Sequence, residues 1–206
     1  MKILSDGAPL NQAKAAMLMM HGRGASAEDI LTLAESLAVQ NNIAYIAPQA
    51  ANNVWYPYPY SEPVAKNEPH LSNTFALMTQ LIEQIQTAGI ATNKIMLLGF
   101  SQGACLSLEY AARHPQRYGA VFGLSGVLIE NGNAGRDYTG NLEQTSVFIG
   151  CSDVDSFFPV SRVHRATERL QALGANVTER IYPGMGHTVN EDELSFVRGV
   201  IQALIK

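Results

Sequence analysis

One serine, Ser101, stands where an apolar run gives way to a small glycine-flanked turn, in Gly99-Phe100-Ser101-Gln102-Gly103. A Gly-x-Ser-x-Gly pentad is common by chance, but between a strand and a helix it has the context of a nucleophile elbow. The reason is steric: a tight strand-to-helix turn crowds the positions two before and two after the serine, where only small residues fit. The bend thrusts the hydroxyl into a cleft, and the helix N-terminus behind it favours developing negative charge. The plain alternative is a turn with no chemistry.

A serine hydroxyl is a weak nucleophile and needs a base. The chain has five histidines. His114 precedes Pro115 at a helix end and reads as a cap, while His70 and His164 read as ordinary helix-surface residues. His21 closes the first apolar run and opens a Gly-rich loop, where a structural role is favoured. His187 lies in YPGMGHTVNED, a glycine-rich loop after the last strand that can hold an imidazole over the elbow, and it is the candidate base. The base needs a carboxylate to fix its tautomer and steady the imidazolium. In the chain order Ser…Asp/Glu…His, the loop CSDVDSFFP offers Asp153 and Asp155. Asp155 is favoured because Pro159, four residues on, suits the first position of the next helix. Asp153 caps or braces the turn in this reading and stays the alternative. An oxyanion needs two donors. The backbone N–H of Gln102 follows the nucleophile, and the loop His21-Gly22-Arg23-Gly24 offers that of Arg23, the alternative there being a plain Gly-rich turn.

These residues must be brought together by the elements between them. Strands are expected over residues 15–20, 43–48, 94–100, 119–126 and 145–150, with an alternating edge strand over 176–183. Helices are expected over 26–40, 70–88, 102–113, 159–173 and 190–205. The first opens on Ser26 as cap, with Asp29 in a capping-box place. Residues 49–69, rich in Pro, Asn and Tyr, read as a loop. Alternation of strand and helix implies an α/β fold with a mostly parallel sheet, helices on both faces, and sites in loops at the carboxyl ends of strands. The loops after Met20, Phe100, Gly150 and Pro183 are the ones expected to meet. Aromatic side chains near them, Trp55, Tyr56 and Tyr58 in one loop and Phe157 and Phe158 in another, either line a substrate pocket or pack beneath it.

The chain's 206 residues suit one domain spanning residues 1–206, with a sizeable core. Charged residues make up only 16% and the formal net charge is -4, which gives no basic surface for nucleic acid. Two cysteines are too few for a secreted disulfide scaffold and have no metal-ligand spacing. The first residues hold no apolar run long enough for a signal peptide or a transmembrane segment, so a cytoplasmic setting is expected.

HGRGASAEDIL, GFSQGACLSLEYAARHPQRYGAVFGLSG and GANVTERIYPGMGHTV, in that order, resemble the phospholipase/carboxylesterase family of α/β-hydrolases, whose members include bacterial carboxylesterases and acyl-protein thioesterases. The likeness runs from about Ala15 to the C-terminus. It implies an α/β-hydrolase fold with no large lid, a triad of Ser101, Asp155 and His187, and oxyanion amides at Arg23 and Gln102. Many relatives carry proline directly after the aspartate; here Ser156 stands there. The expected activity is hydrolysis of a small-molecule carboxylic ester or thioester through an acyl-enzyme, with no metal or organic cofactor. The alternatives are an acyl-protein thioesterase or lysophospholipase with a longer acyl groove and, more remotely, a non-catalytic binding protein, a class that usually lacks a triad member. The sequence sets no oligomeric state and leaves a homodimer open.

Overall fold

The computed structural model describes residues 2–37, 42–132 and 137–206. Seven strands form one sheet in the order β1-β3-β2-β4-β5-β6-β7. They are β1 (Ile3–Gly7), β2 (Ala15–Met20), β3 (Ile43–Pro48), β4 (Ile95–Phe100), β5 (Ala120–Leu124), β6 (Ser146–Ser152) and β7 (Asn176–Tyr182). Five helices lie between or after them: α1 (Ala27–Leu37), α2 (His70–Thr87), α3 (Gln102–Arg113), α4 (Val160–Ala172) and α5 (Glu191–Ile205). Every neighbouring pair is parallel except β1 with β3, where Ile3 lies opposite Pro48 and Gly7 opposite Ala44.

The expected alternation is present, with one strand added. β1 escapes a sequence reading because it is short and half-exposed, ends in Asp6-Gly7, and shows no apolar run. Its place at the sheet edge comes from pairing with β3, not from its own pattern. The expected helix from Ser26 is α1, and its last residues, 38–40, lie outside the described part. Its start is a reciprocal capping box: Ser26 N donates to Asp29 Oδ2 at 2.8 Å and Asp29 N donates to Ser26 Oγ at 3.1 Å. Pro159, expected as the first helical residue, is instead the N-cap of α4, one position before the helix begins at Val160. The loop 49–69 holds two short 3₁₀ turns, Ala51–Asn53 and Val64–Asn67.

Strand side chains alternate between two cores. Ala16, Leu18 and Met20 of β2, with Leu97 of β4, pack under α2, α3 and α4 through Phe75, Met78, Leu106 and Val163. Ala15, Met17 and Met19, with Leu98 and Phe122, pack under α1 and α5 through Ile30, Ala34, Val197 and Ile201. The central strands are apolar along their whole length because both faces are covered. From β2 the chain first turns to β3 on one side, then crosses to β4 on the other. The loops after β2 and β4 therefore leave the sheet side by side where the strand order reverses, the usual place for a site in such sheets.

Candidate active site

The elbow is built by close backbone approach. Ser101 has φ 55° and ψ −117°, a strained conformation for a residue with a side chain. A Cβ on Gly99 would lie 2.1 Å from the Gly103 carbonyl oxygen, and one on Gly103 would lie 1.9 Å from that of Met20. No larger residue fits either position without moving backbone, so α3 can start directly behind the serine and hard against the end of β2. The Ser101 amide is tied to the Leu124 carbonyl of β5 at 3.0 Å. Gln102 is the first residue of α3, so its N–H is among those a helix leaves without an intrahelical partner.

The structure brings Ser101, His187 and Asp155 into one hydrogen-bonded line. His187 Nε2 lies 2.9 Å from Ser101 Oγ, and His187 Nδ1 lies 2.7 Å from Asp155 Oδ2. A carboxylate beside Nδ1 accepts the ring N–H there, which leaves Nε2 as the acceptor for the serine hydroxyl. Asp155 is almost fully buried, and its other oxygen accepts from Phe157 N at 2.8 Å and Phe158 N at 3.1 Å. The imidazole is enclosed by Phe100, Phe157 and Phe158, whose ring centroids lie 4.9, 4.9 and 5.8 Å from its own.

Asp153, two residues away, points elsewhere: its Oδ1 accepts from Gly184 N at 2.7 Å and so braces the histidine loop. Ser152, fully buried at the end of β6, adds a second latch, its Oγ accepting from Gly186 N at 3.0 Å and Val154 N at 3.1 Å. Ser125 supplies a third, donating from Oγ to the Thr188 carbonyl at 3.1 Å. Neither serine was marked by any motif, and nothing local in the sequence distinguishes them. The capping box of α5, Asn190 with Glu193, was legible as Asn-x-x-Glu, and it anchors the far end of the same loop.

His21 is buried and tied to backbone at both nitrogens. Nδ1 lies 2.7 Å from the Gly22 carbonyl and Nε2 accepts from Ala50 N at 3.1 Å. Burial pushes its pKa down, which fits a neutral structural imidazole. His114 caps α3, with Nδ1 3.1 Å from the Tyr110 carbonyl; His164 on α4 meets Glu179, and His70 starts α2. Trp55 and Tyr56 are buried, whereas Phe157 is 61% exposed beside His187 and Tyr58 is exposed on the same loop as Trp55. Cys105 and Cys151 are buried free cysteines whose thiols burial pushes up to about 12, so neither is a thiolate nucleophile. Among the described residues no three His, Cys, Asp or Glu side chains converge as metal ligands. A cavity of about 500 Å³ lies along the β1–β3 edge of the sheet, lined mainly by apolar residues such as Leu10, Ile46, Leu81 and Ile85 with Ser5 and Asp6, and it contains none of Ser101, Asp155 and His187.

A model of the phospholipase/carboxylesterase family matches residues 7–205. The chain belongs to the phospholipase/carboxylesterase family. It has the α/β-hydrolase fold and is a hydrolase of carboxylesterase/thioesterase type. A crystal structure of a phospholipase/carboxylesterase from Dyadobacter fermentans superposes with a TM-score of 0.92 at 40% identity, covering 98% of this chain and 96% of that one. Acyl-protein thioesterase 1 of Debaryomyces hansenii is 30% identical over 94% of this chain and 93% of its own length. Acyl-protein thioesterase 1 of Gibberella zeae is 32% identical, but the match spans only 53% of that protein. No described helix is long and apolar enough to cross a membrane.

Proposed function

We propose that this family member is a serine carboxylesterase with Ser101 as nucleophile, His187 as general base and acid, and Asp155 as the carboxylate that orients the histidine. The observation that carries the reading is the continuous line from Ser101 Oγ through both ring nitrogens of His187 to a buried carboxylate. In the acylation step His187 Nε2 takes the hydroxyl proton as Oγ forms a bond to the ester carbonyl carbon, and the carbonyl π electrons move onto oxygen. The main-chain N–H groups of Arg23 and Gln102 receive that oxyanion. When the tetrahedral intermediate collapses, the bond to the leaving oxygen breaks and His187 returns the proton to it. Water then repeats the sequence on the acyl-enzyme, with His187 as its base, and frees the acid and Ser101. None of these steps calls for a metal or an organic cofactor.

Phe157, exposed beside the imidazole, is proposed to border the acyl or leaving group. Trp55 and Tyr56 would bound the pocket from beneath, since they present almost no surface. The similarity to an acyl-protein thioesterase from D. hansenii supports thioesters as a second substrate class. A thiolate leaves more readily than an alkoxide, so the same residues serve both. Residues 1–206 would act as one catalytic domain, and the two free thiols suit a reducing, cytoplasmic setting.

The test is release of p-nitrophenol from acetate, butyrate and octanoate esters, alongside matching acyl thioesters. Turnover of esters is expected, falling on the order of 10⁶-fold in Ser101→Ala. A fluorophosphonate probe should label the wild type at Ser101. An adduct on another residue, or near-native turnover by a folded Ser101→Ala protein, refutes the assignment.

A further inference from the structure

The residues given the two oxyanion amides above, Arg23 and Gln102, are tied together through their side chains. Gln102 is 5% exposed, and its carboxamide makes two hydrogen bonds to one stretch of backbone. Oε1 accepts from Trp55 N at 2.9 Å, and Nε2 donates to the Tyr56 carbonyl at 2.8 Å. The Arg23 guanidinium donates from Nη2 to that same Tyr56 carbonyl at 2.6 Å. Two further bonds bind this stretch to the loop after β2: Trp55 Nε1 donates to the His21 carbonyl at 2.9 Å, and Gly24 N donates to the Asn53 carbonyl at 2.7 Å.

We infer that the Gln102 side chain is a positioning residue for the oxyanion hole, acting through the Trp55–Tyr56 backbone to hold the Arg23 loop at a fixed distance from the start of α3. The inference rests on the esterase reading above. The two amides differ in how well the chain alone fixes them. That of Gln102 sits on a helix packed against β2, whereas that of Arg23 sits between Gly22 and Gly24, where the backbone has most freedom. A donor displaced by about 1 Å can lose about 100-fold in rate, so the looser loop needs an external strut. A carboxamide suits that strut because one planar group carries both an acceptor and a donor. It can therefore grip the N–H of Trp55 and the carbonyl of the following residue, Tyr56, at once. This places Trp55 and Tyr56 in the site through their main chain and the indole N–H, whatever their rings contact.

Gln102→Met keeps the length of the side chain and removes both bonds, while leaving the Gln102 backbone N–H in place. Gln102→Glu keeps the acceptor for Trp55 N and loses the donor to Tyr56. The readouts are kcat and KM on p-nitrophenyl butyrate, inhibition by a trifluoromethyl ketone, whose adduct places an oxyanion in the hole, and inhibition by the matching methyl ketone, which forms no stable adduct. For Gln102→Met, kcat should fall by about 10- to 100-fold with KM within about threefold, and the trifluoromethyl ketone should weaken by the same factor while the methyl ketone does not. Gln102→Glu should show the same pattern, and it carries the test if Gln102→Met does not fold. A kcat within twofold of wild type overturns the inference. So does a loss of kcat that leaves trifluoromethyl ketone inhibition unchanged, or one that weakens both ketones equally. If fluorophosphonate does not label wild-type Ser101, the esterase reading falls first and the inference with it.

Discussion

At the scale of single residues, the deciding contrast is between two aspartates in one loop. Asp155 accepts from the ring of His187, and Asp153 accepts from a backbone amide of the loop that carries it. An amide in place of Asp155 would permit the wrong imidazole tautomer and leave the imidazolium uncompensated. Asp155→Asn should therefore lose about 10⁴-fold in kcat with KM little changed, by analogy with the amide substitution in another triad. Asp153→Asn retains an oxygen for Gly184 N and should lose far less. Steady-state kinetics on both variants, after a thermal melt shows that each folds, will separate the roles; the reverse ranking would make Asp153 the orienting acid. Phe157 is a second single-residue case. Being mostly exposed, its replacement by Ala should change stability by less than about 0.5 kcal/mol. Its edge contact with His187 places it where an acyl chain would pass, so Phe157→Ala should shift the preferred ester length. An unchanged chain-length profile would make it a packing residue.

At the scale of elements, the site depends on how the loops after β6 and β7 are fastened to each other. The two strands are parallel neighbours, paired from Ser146 with Asn176 to Ser152 with Tyr182. The register brings the acid loop and the histidine loop out side by side. Ser152 then stitches them, one buried hydroxyl oxygen accepting an N–H from each. Ser152→Ala leaves both N–H groups without that acceptor, and because Val154 is exposed and Gly186 half-buried, water replaces part of what is lost. The expected cost is about 1 kcal/mol, a drop of a few degrees in Tm, accompanied by a lower kcat as His187 loses its fixed place. Differential scanning fluorimetry with kinetics on the same preparation tests this; an unchanged Tm would mean that Asp153 and Ser125 suffice to hold the loop.

At the scale of the whole molecule, stability should carry the signature of one buried acid. Glu193 of α5 is fully buried, with Oε2 accepting from Asn190 N and Oε1 unpartnered among the described residues. Oε1 lies so near Gly150 that a Cβ there would be 2.0 Å from it. Burial pushes its pKa up from 4.5 to about 7, against the opposing bond from Asn190. Below pH 4.5 the folded and unfolded chains both hold the proton. Between 4.5 and about 7 the folded state binds more protons than the unfolded one, so stability falls as pH rises. Above about 7 the full penalty, about 3 kcal/mol, is present. Glu193→Gln has no proton to lose and keeps an oxygen for the cap. Urea melts at pH 5 and pH 8 should show the variant gaining on wild type at the higher pH, and an equal difference at both values would rule out this titration.

What the sequence determined by itself is what depends on local chemistry. Periodicity marked β2 to β7 and all five helices, because elements buried on one or both faces must be apolar in a regular pattern. Gly99 and Gly103 announced a close backbone approach, and Ser101, His187 and the choice between Asp153 and Asp155 followed from residue type and order along the chain. The tertiary structure decided what depends on partners far apart in sequence. β1 exists because β3 offers it an edge, not because ILSDG favours a strand. Which aspartate meets His187 was settled by the direction each carboxylate takes out of a two-residue turn, and a one-dimensional pattern does not encode direction. Trp55 and Tyr56 read in the sequence as rings that line a pocket or pack beneath it, yet their backbone is what Gln102 and Arg23 grip. Such bonds join segments up to 47 residues apart, and main-chain N–H and C=O groups are the same at every position. No residue type signals which of them a side chain will find once the fold has closed.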